Sequence, residues 1–155
     1  GRVENLPEHF DFQNFCSETI EEIRGLAKPG QDIIFRLLGE NGTVFLDPRL
    51  LKNVLYNLLS NAIKYSEKDI FCEGGITDGQ LVIRVKDQGI GIPEADKQHL
   101  FERFFRASNV VNIQGVGLGM NIVMRYLGIM GGSVRFESEE GKGSIFTLNF
   151  RVGEG

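Results

Sequence analysis

The chain has 155 residues, 41% of them hydrophobic, which is enough for one packed domain spanning 1–155 and too little for two independent cores. Its formal charge is −4 with the Lys and Arg residues scattered rather than massed, which excludes a surface built to neutralise a nucleic-acid backbone. No apolar run approaches the roughly 20 residues that cross a bilayer and "GRVENLPEHFDF" carries no signal-peptide pattern, so a cytoplasmic location is expected, with any membrane anchor elsewhere in a longer parent protein.

In chain order, "EHFDF" reads as a short strand, and "QNFCSETIEEIRGLA" sets Phe15, Ile20, Ile23 and Leu26 at helical spacing before stopping near "KPG". "DIIFRLLGE" and "GTVFLD" are β-rich runs on either side of "ENG", whose Asn-Gly step predicts a tight hairpin. Asp47 before Pro48 is a helix start: the carboxylate can accept from free amides, and Pro lacks a hydrogen that would be wasted there.

"KDIFCEGGITDGQLVIRVKD" alternates, with Leu81, Ile83 and Val85 on one side of a strand after a "TDG" turn. A short helical piece around "KQHLFERFF" is followed by a stretch of weak periodicity, then an apolar helix that opens on glycines and closes at Gly131 and Gly132. The tail "SVRFESEEGKGSIFTLNFRV" is a hairpin turned by "EEGKG". This order predicts an α/β (α+β) fold: a two-layer α/β sandwich, its mixed sheet covered on one face by three helices. Cys16 and Cys72 form no metal-ligand or CxxC pattern and read as buried small hydrophobes in a reducing compartment.

Three stretches carry chemistry. In "NLLSNAIKYS", at ~100° per residue, Leu51, Leu55, Leu58 and Ala62 form one stripe, whereas Asn57, Asn61 and Lys64 gather on a neighbouring arc at the core's rim. Two Asn oxygens one turn apart, with an ammonium beyond, suit a cation that keeps several waters and takes other ligands from phosphates, as Mg²⁺ does with a nucleoside triphosphate. Taken alone, such a pair is also what any exposed helix can carry.

"DQGIGIP" sets Asp87 at a strand end before alternating glycines, so backbone can approach a flat ligand while Asp87 accepts from an exocyclic amine. "QGVGLGM" puts Gly115, Gly117 and Gly119 at a helix head, where free amides and the helix dipole favour a phosphate chain. "GIGIPE" lacks the third glycine of the dinucleotide fingerprint and "GKGS" lacks the P-loop spacing, so nucleotide binding would use another scaffold.

Together and in this order, these segments resemble the ATP-binding catalytic domain of sensor histidine kinases, in the superfamily with gyrase, mismatch-repair ATPases and the large ATP-dependent chaperones. "NLLSNAIKYS" resembles the N box, "DQGIGIP" the first glycine box, "FERFFR" the F box, "GVGLG" the second glycine box and "GKGSIF" the last glycine element. The resemblance implies Asn61 as Mg²⁺ ligand, Asn57 as its helper near the phosphates, Lys64 as a phosphate or ribose contact and Tyr65 beside the nucleoside. It implies Asp87 as acceptor from the adenine amine, with Gly89, Gly91 and Ile92 around the base. Phe105 and Arg106 would lie over the site, and Gly115, Gly117, Leu118 and Gly119 would offer amides to the phosphates. A lid over about 93–115 is implied as well. Gln114 and Val116 depart from the fullest pattern, which removes a side-chain hydroxyl from the phosphate contacts.

The superfamily's hydrolases keep a general-base Glu four residues before the metal-binding Asn. Here that position is Asn57, which takes no proton at neutral pH, so transfer to an external nucleophile is expected. In the family this is a histidine on a helical hairpin, with a response-regulator receiver domain downstream and a homodimeric parent protein. His9 and His99 lack the acceptor motif, so the acceptor module is expected to be absent from this chain. The competing readings are a nucleotide-sensing interaction module without transfer, and a serine kinase of the anti-sigma type.

Overall fold

The computed structural model describes residues 2–101 and 120–152. Strand β1 (Glu8–Asp11) leads directly into helix α1 (Phe12–Ile23), because Asp11 in extended backbone turns its carboxylate to accept from the Asn14 N–H at 2.9 Å. Helix α1 buries Phe12, Phe15, Cys16, Ile20 and Ile23, then tightens into a 3₁₀ turn over Arg24–Leu26. Leu26, expected to continue the apolar stripe, is instead exposed, since the tighter turn rotates it off the buried face.

Strands β2 (Ile33–Leu37) and β3 (Thr43–Leu46) precede helix α2 (Pro48–Tyr65). Strands β4 (Ile70–Thr77) and β5 (Gln80–Asp87) follow, joined through Asp78 and Gly79, both at positive φ as a tight hairpin turn requires. A 3₁₀ segment covers Glu94–His99. Helix α3 (Met120–Met130) ends where Gly131 turns left-handed and the Gly132 N–H reaches back to the Leu127 carbonyl at 2.8 Å. Strands β6 (Ser133–Glu139) and β7 (Gly143–Arg151) complete the described chain.

The main sheet has the order β2-β4-β5-β7-β6, with β2 parallel to β4 and the other neighbours antiparallel. Its inner face carries Ile70, Cys72, Leu81, Ile83, Val85, Leu148 and Phe150, and α1, α2 and α3 pack on that side. This is the predicted mixed sheet with three covering helices. The opposite face carries Arg36, Arg84, Lys86, Arg135 and Arg151, with Glu73 buried between Arg36 and Lys86 at 3.5 and 3.6 Å.

The expected β2–β3 hairpin does not form. Strand β3 pairs antiparallel with β1 in a separate two-stranded sheet, and β2 runs beside β4. Positive φ falls on Gly39 rather than on the Asn41-Gly42 step. Asn41 instead ties the start of α1, accepting from the Gln13 N–H at 2.9 Å and donating to Asp11 at 2.8 Å, while the Gly42 carbonyl accepts from Phe12 N–H. Long-range pairing outweighs the local turn preference here.

Candidate nucleotide site

A cleft opens at the C-terminal half of α2. Leu58, Asn61, Ala62 and Tyr65 form one wall, and Val85 and Asp87 at the end of β5 face them. Ile90, Gly91 and Ile92 from the following loop, Met120 at the head of α3, and Ser144 and Phe146 from β7 close the rest. The lining is apolar except for a few polar groups, which suits a flat, mostly apolar ligand with one hydrogen-bonding edge.

Helix α2 reaches this position because its two ends are fixed. At its start Asp47, fully buried, accepts from the Arg49 N–H at 2.9 Å and from the Leu6 N–H at 2.8 Å, and pairs with the Arg49 guanidinium at 2.9 Å. Burial alone would raise the Asp47 pKa, but these donors win and hold it below the usual carboxylate value. At its end the Lys28 ammonium donates to the carbonyls of Lys64 and Ser66 at 3.1 and 2.8 Å, and the Gln31 amide donates to that of Ser66 at 3.0 Å. A cation there also complements the helix dipole.

Asp87 stands at the pocket's polar end. Burial pushes its pKa up to about 6, against the opposing pull of the Gly89 N–H, which donates at 2.9 Å, and the Ser144 N–H. At neutral pH it is therefore a carboxylate, desolvated and acceptor-only, held by two backbone donors. A Cβ on Gly89 would run into the Tyr65 carbonyl, and one on Gly143 into the Asp87 carbonyl, so both glycines are required by close backbone approach.

Of the residues singled out from sequence, Asn61, Tyr65, Asp87, Gly91 and Ile92 line the cleft together, and Gly89 sits directly behind it. Asn57 does not line it. One turn earlier on α2, Asn57 borders a shallow groove with Glu22, Arg49, Lys52, Asn53 and Tyr56. Its amide nitrogen donates to both the backbone and side-chain oxygens of Asn53 at 2.8 Å. Lys64 is exposed on the last turn and outside the lining. Phe105, Arg106, Gln114, Gly115, Val116, Gly117, Leu118 and Gly119 lie outside the described residues, as does most of the expected lid.

Sequence reasoning missed Ser144 and Phe146, although "GKGSIF" had been marked, because alternation on a strand does not reveal which end of the sheet it reaches. It also missed Asn53, whose only signal was its i, i+4 spacing from Asn57.

The profile of the family described as histidine kinase-, DNA gyrase B-, and HSP90-like ATPase matches residues 46–154. The chain belongs to that family. It is 39% identical over 122 residues to sensor histidine kinase YkoH of Bacillus subtilis (strain 168), covering 77% of this chain and 27% of that protein. It is 31% identical over 146 residues to circadian input-output histidine kinase CikA of Synechococcus elongatus, covering 90% of this chain and 19% of that one. The chain thus spans about a quarter or less of these relatives.

Among solved structures, full-length ShkA in complex with AMPPNP superposes with a TM-score of 0.85 at 25% identity, over 100% of this chain and 33% of that one. The nucleotide-free catalytic domain of histidine kinase ThkA gives 0.79 at 26%, over 95% of this chain and 96% of that domain. The family match includes α2, the Asp87 loop and β7, the parts that build the cleft. No helix among the described residues is long and apolar enough to cross a membrane.

Proposed function

We propose that this domain binds Mg-ATP in the cleft and passes the γ-phosphate to a histidine on a separate helical-hairpin module of a sensor histidine kinase. The observation that carries this reading is Asp87, a buried carboxyl group held on an apolar slot by two backbone donors. Such a group accepts from the exocyclic amine of adenine, while Ile92, Met120 and Phe146 supply apolar surface for the ring.

The donors available for magnesium are neutral oxygens. Asn61 lines the slot, and the Asn57 amide nitrogen is turned back to Asn53, which directs its oxygen away from Asn53. Among the described residues no cluster of three or more His, Cys, Asp or Glu could hold a metal by itself. An oxygen ligand from Asn61, helped by Asn57, fits a hard cation that keeps waters and takes phosphate oxygens. When bound, the ion neutralises charge on the phosphates during transfer. Asn57 stands where a hydrolase would keep its base, which favours transfer over hydrolysis.

Lys64, Phe105, Arg106, Gly115, Gly117, Leu118 and Gly119 belong to the phosphate side of this proposal by resemblance. The kinase names of the relatives support it over a sensing module or a serine kinase. A downstream receiver domain and a dimeric parent protein complete the reading.

The test supplies the domain with Mg-ATP and a separately purified acceptor hairpin, then measures acid-labile phosphate on the hairpin. Transfer is expected with the natural sequence and lost with Asn61→Ala; transfer that survives that change overturns the assignment of Asn61.

A further inference from the structure

The last four carbonyls of a helix find no partner within it. In α3 the chain itself supplies an ending, since Gly131 at positive φ brings the Gly132 N–H back to the Leu127 carbonyl. Helix α2 has no such ending: its C-cap Ser66 is extended at φ −135° and ψ 153°, and no residue between Gly39 and Asp78 has positive φ. Donors for its end come instead from the turn Lys28-Pro29-Gly30-Gln31, far back in the sequence.

That turn is closed by the Gln31 N–H on the Lys28 carbonyl at 2.9 Å, with Gly30 at φ +80°, the form that Pro second and Gly third favour. Gln31 is buried, and its Oε1 accepts from the Lys28 N–H at 3.0 Å, so its Nε2 is turned to the carbonyls of Ser66 and Lys68, both at 3.0 Å. The Lys28 ammonium donates to the carbonyls of Lys64 and Ser66 at 3.1 and 2.8 Å. Between these two, the Tyr65 carbonyl accepts from the Ile90 N–H at 3.0 Å. Three consecutive carbonyls are thus shared out, the outer two to the turn and the middle one to the glycine loop.

Tyr65 and Ile90 both line the cleft, whereas Lys28 and Gln31 do not. Peptide planes are rigid and joined through two dihedrals per residue, so fixing the planes on either side restricts the one between. We propose that Lys28 and Gln31 are positioning residues of the nucleotide cleft: by holding the carbonyls of Lys64 and Ser66 they aim that of Tyr65 at the glycine loop and keep the two walls at the separation ATP requires. The inference rests on the ATP reading above and adds residues outside the cleft that set its width.

The test uses the whole chain in two measurements, Mg-ATP affinity by calorimetric titration and amide exchange at Ile90 by NMR, under conditions where circular dichroism shows every variant folded. Gln31→Glu keeps the size of the side chain but cannot donate to either carbonyl, and Lys28→Met removes the ammonium. Ile20→Val, a core truncation outside the cleft lining, is the control for lost stability. Gln31→Glu is expected to weaken ATP at least fivefold, about the value of one neutral hydrogen bond, and to speed exchange at Ile90 about tenfold more than in the centre of β5 and β7. Lys28→Met should weaken ATP about threefold, and Lys28→Arg, which keeps charged donors, should stay within about twofold of the natural sequence. Ile20→Val should leave affinity unchanged.

A purely structural tie would lower the melting temperature of Gln31→Glu yet leave ATP affinity and the Ile90 exchange pattern like those of Ile20→Val, and that result overturns the proposal. Should Gln31→Glu fail to fold, Lys28→Met decides: natural affinity together with natural exchange at Ile90 also overturns it. Failure of the natural sequence to bind Mg-ATP would remove the ATP reading, and with it the role in nucleotide binding, while selective exchange at Ile90 would still show that the turn holds the two walls together.

Discussion

The Ile90 N–H donates to the Tyr65 carbonyl at 3.0 Å, which joins the last turn of α2 to the glycine loop after β5. Both residues line the cleft, and the contact fixes the distance between its two walls. From the other side, the Gly141 N–H donates to the Ile90 carbonyl at 2.7 Å, so the β6–β7 turn holds the same loop. The cleft is therefore a product of backbone contacts among three segments remote in sequence.

Gly89→Ala tests that construction. The added methyl would collide with the Tyr65 carbonyl, a backbone atom that cannot turn aside, so the two walls must separate. We expect a stability loss of about 2 kcal/mol in denaturant unfolding and at least tenfold weaker ATP binding. Unaltered stability and affinity would mean that the loop is free to move away from α2.

Asp87 should trade stability for recognition. Its folded pKa of about 6 lies above the ordinary value of 3.8, so the folded state holds its proton more tightly than the unfolded chain. Its contribution to stability is then fully present below pH 3.8 and is lost as pH rises toward and through 6. Asp87→Asn is therefore expected to raise stability at pH 7 by about 1–2 kcal/mol, an advantage that fades toward pH 4, while adenine selectivity is lost. ATP affinity of the natural sequence should fall as pH drops through about 6 more steeply than in Asp87→Asn, which serves as control for titration of the nucleotide. Parallel pH profiles in calorimetric titration would remove the carboxylate from recognition.

The legible parts of the fold were those with local causes. Asp47-Pro48 marked the start of α2, the stripe of Leu51, Leu55, Leu58 and Ala62 marked its buried face, and Gly131 marked the end of α3. The false hairpin between β2 and β3 shows the limit: Asn-Gly had a local preference, but the partners that decided pairing, β1 and β4, were far away in sequence. In the site, Asn61 and Asp87 could be read because each sits at an element end next to glycines or at a helix rim. Ser144 and Phe146 could not, because their place on the cleft depends on the β5–β7 register, which no single segment encodes.

Asp47 should make the fold acid-sensitive. Its pKa is depressed on folding, so its stabilising effect is present above the ordinary value of 3.8 and is lost as pH falls through the lower folded value. Asp47→Ala removes the acceptor for the Leu6 and Arg49 N–H groups and is expected to cost about 2 kcal/mol at pH 7, with a smaller difference at pH 3. Equal costs at both values in urea unfolding would show that the charge contributes nothing.

Cys16 and Cys72 should be inert until the domain opens. Both are fully buried between α1 and β4, and the Cys16 thiol is raised in pKa by its hydrogen bond to Cys72 and by burial. The thiolate is the reactive form, so a thiol reagent should label neither residue in the native state. Both should react together on unfolding, at a rate that follows stability across a urea series. Rapid labelling of one cysteine in native buffer would reveal a local opening of α1 away from the sheet.

Asn57 offers the sharpest test of transfer against hydrolysis. Its amide nitrogen is held by two oxygens of Asn53, each at 2.8 Å, and a carboxylate placed there cannot donate to either, so both bonds are lost. Asn57→Glu therefore puts a base on α2 one turn from Asn61, on a groove where Lys52 already pairs with Glu22 at 2.6 Å and Arg49 with Asp47 at 2.9 Å. A positioned general base contributes roughly 100-fold or more to a rate, so phosphate release from Mg-ATP without any acceptor should rise at least tenfold, while transfer to an acceptor histidine falls. Asn57→Gln, which adds the same length without a base, should leave hydrolysis at its starting level. If phosphate release in Asn57→Glu equals that in Asn57→Gln, the identity of this residue does not decide which nucleophile attacks, and the choice must be made elsewhere in the site.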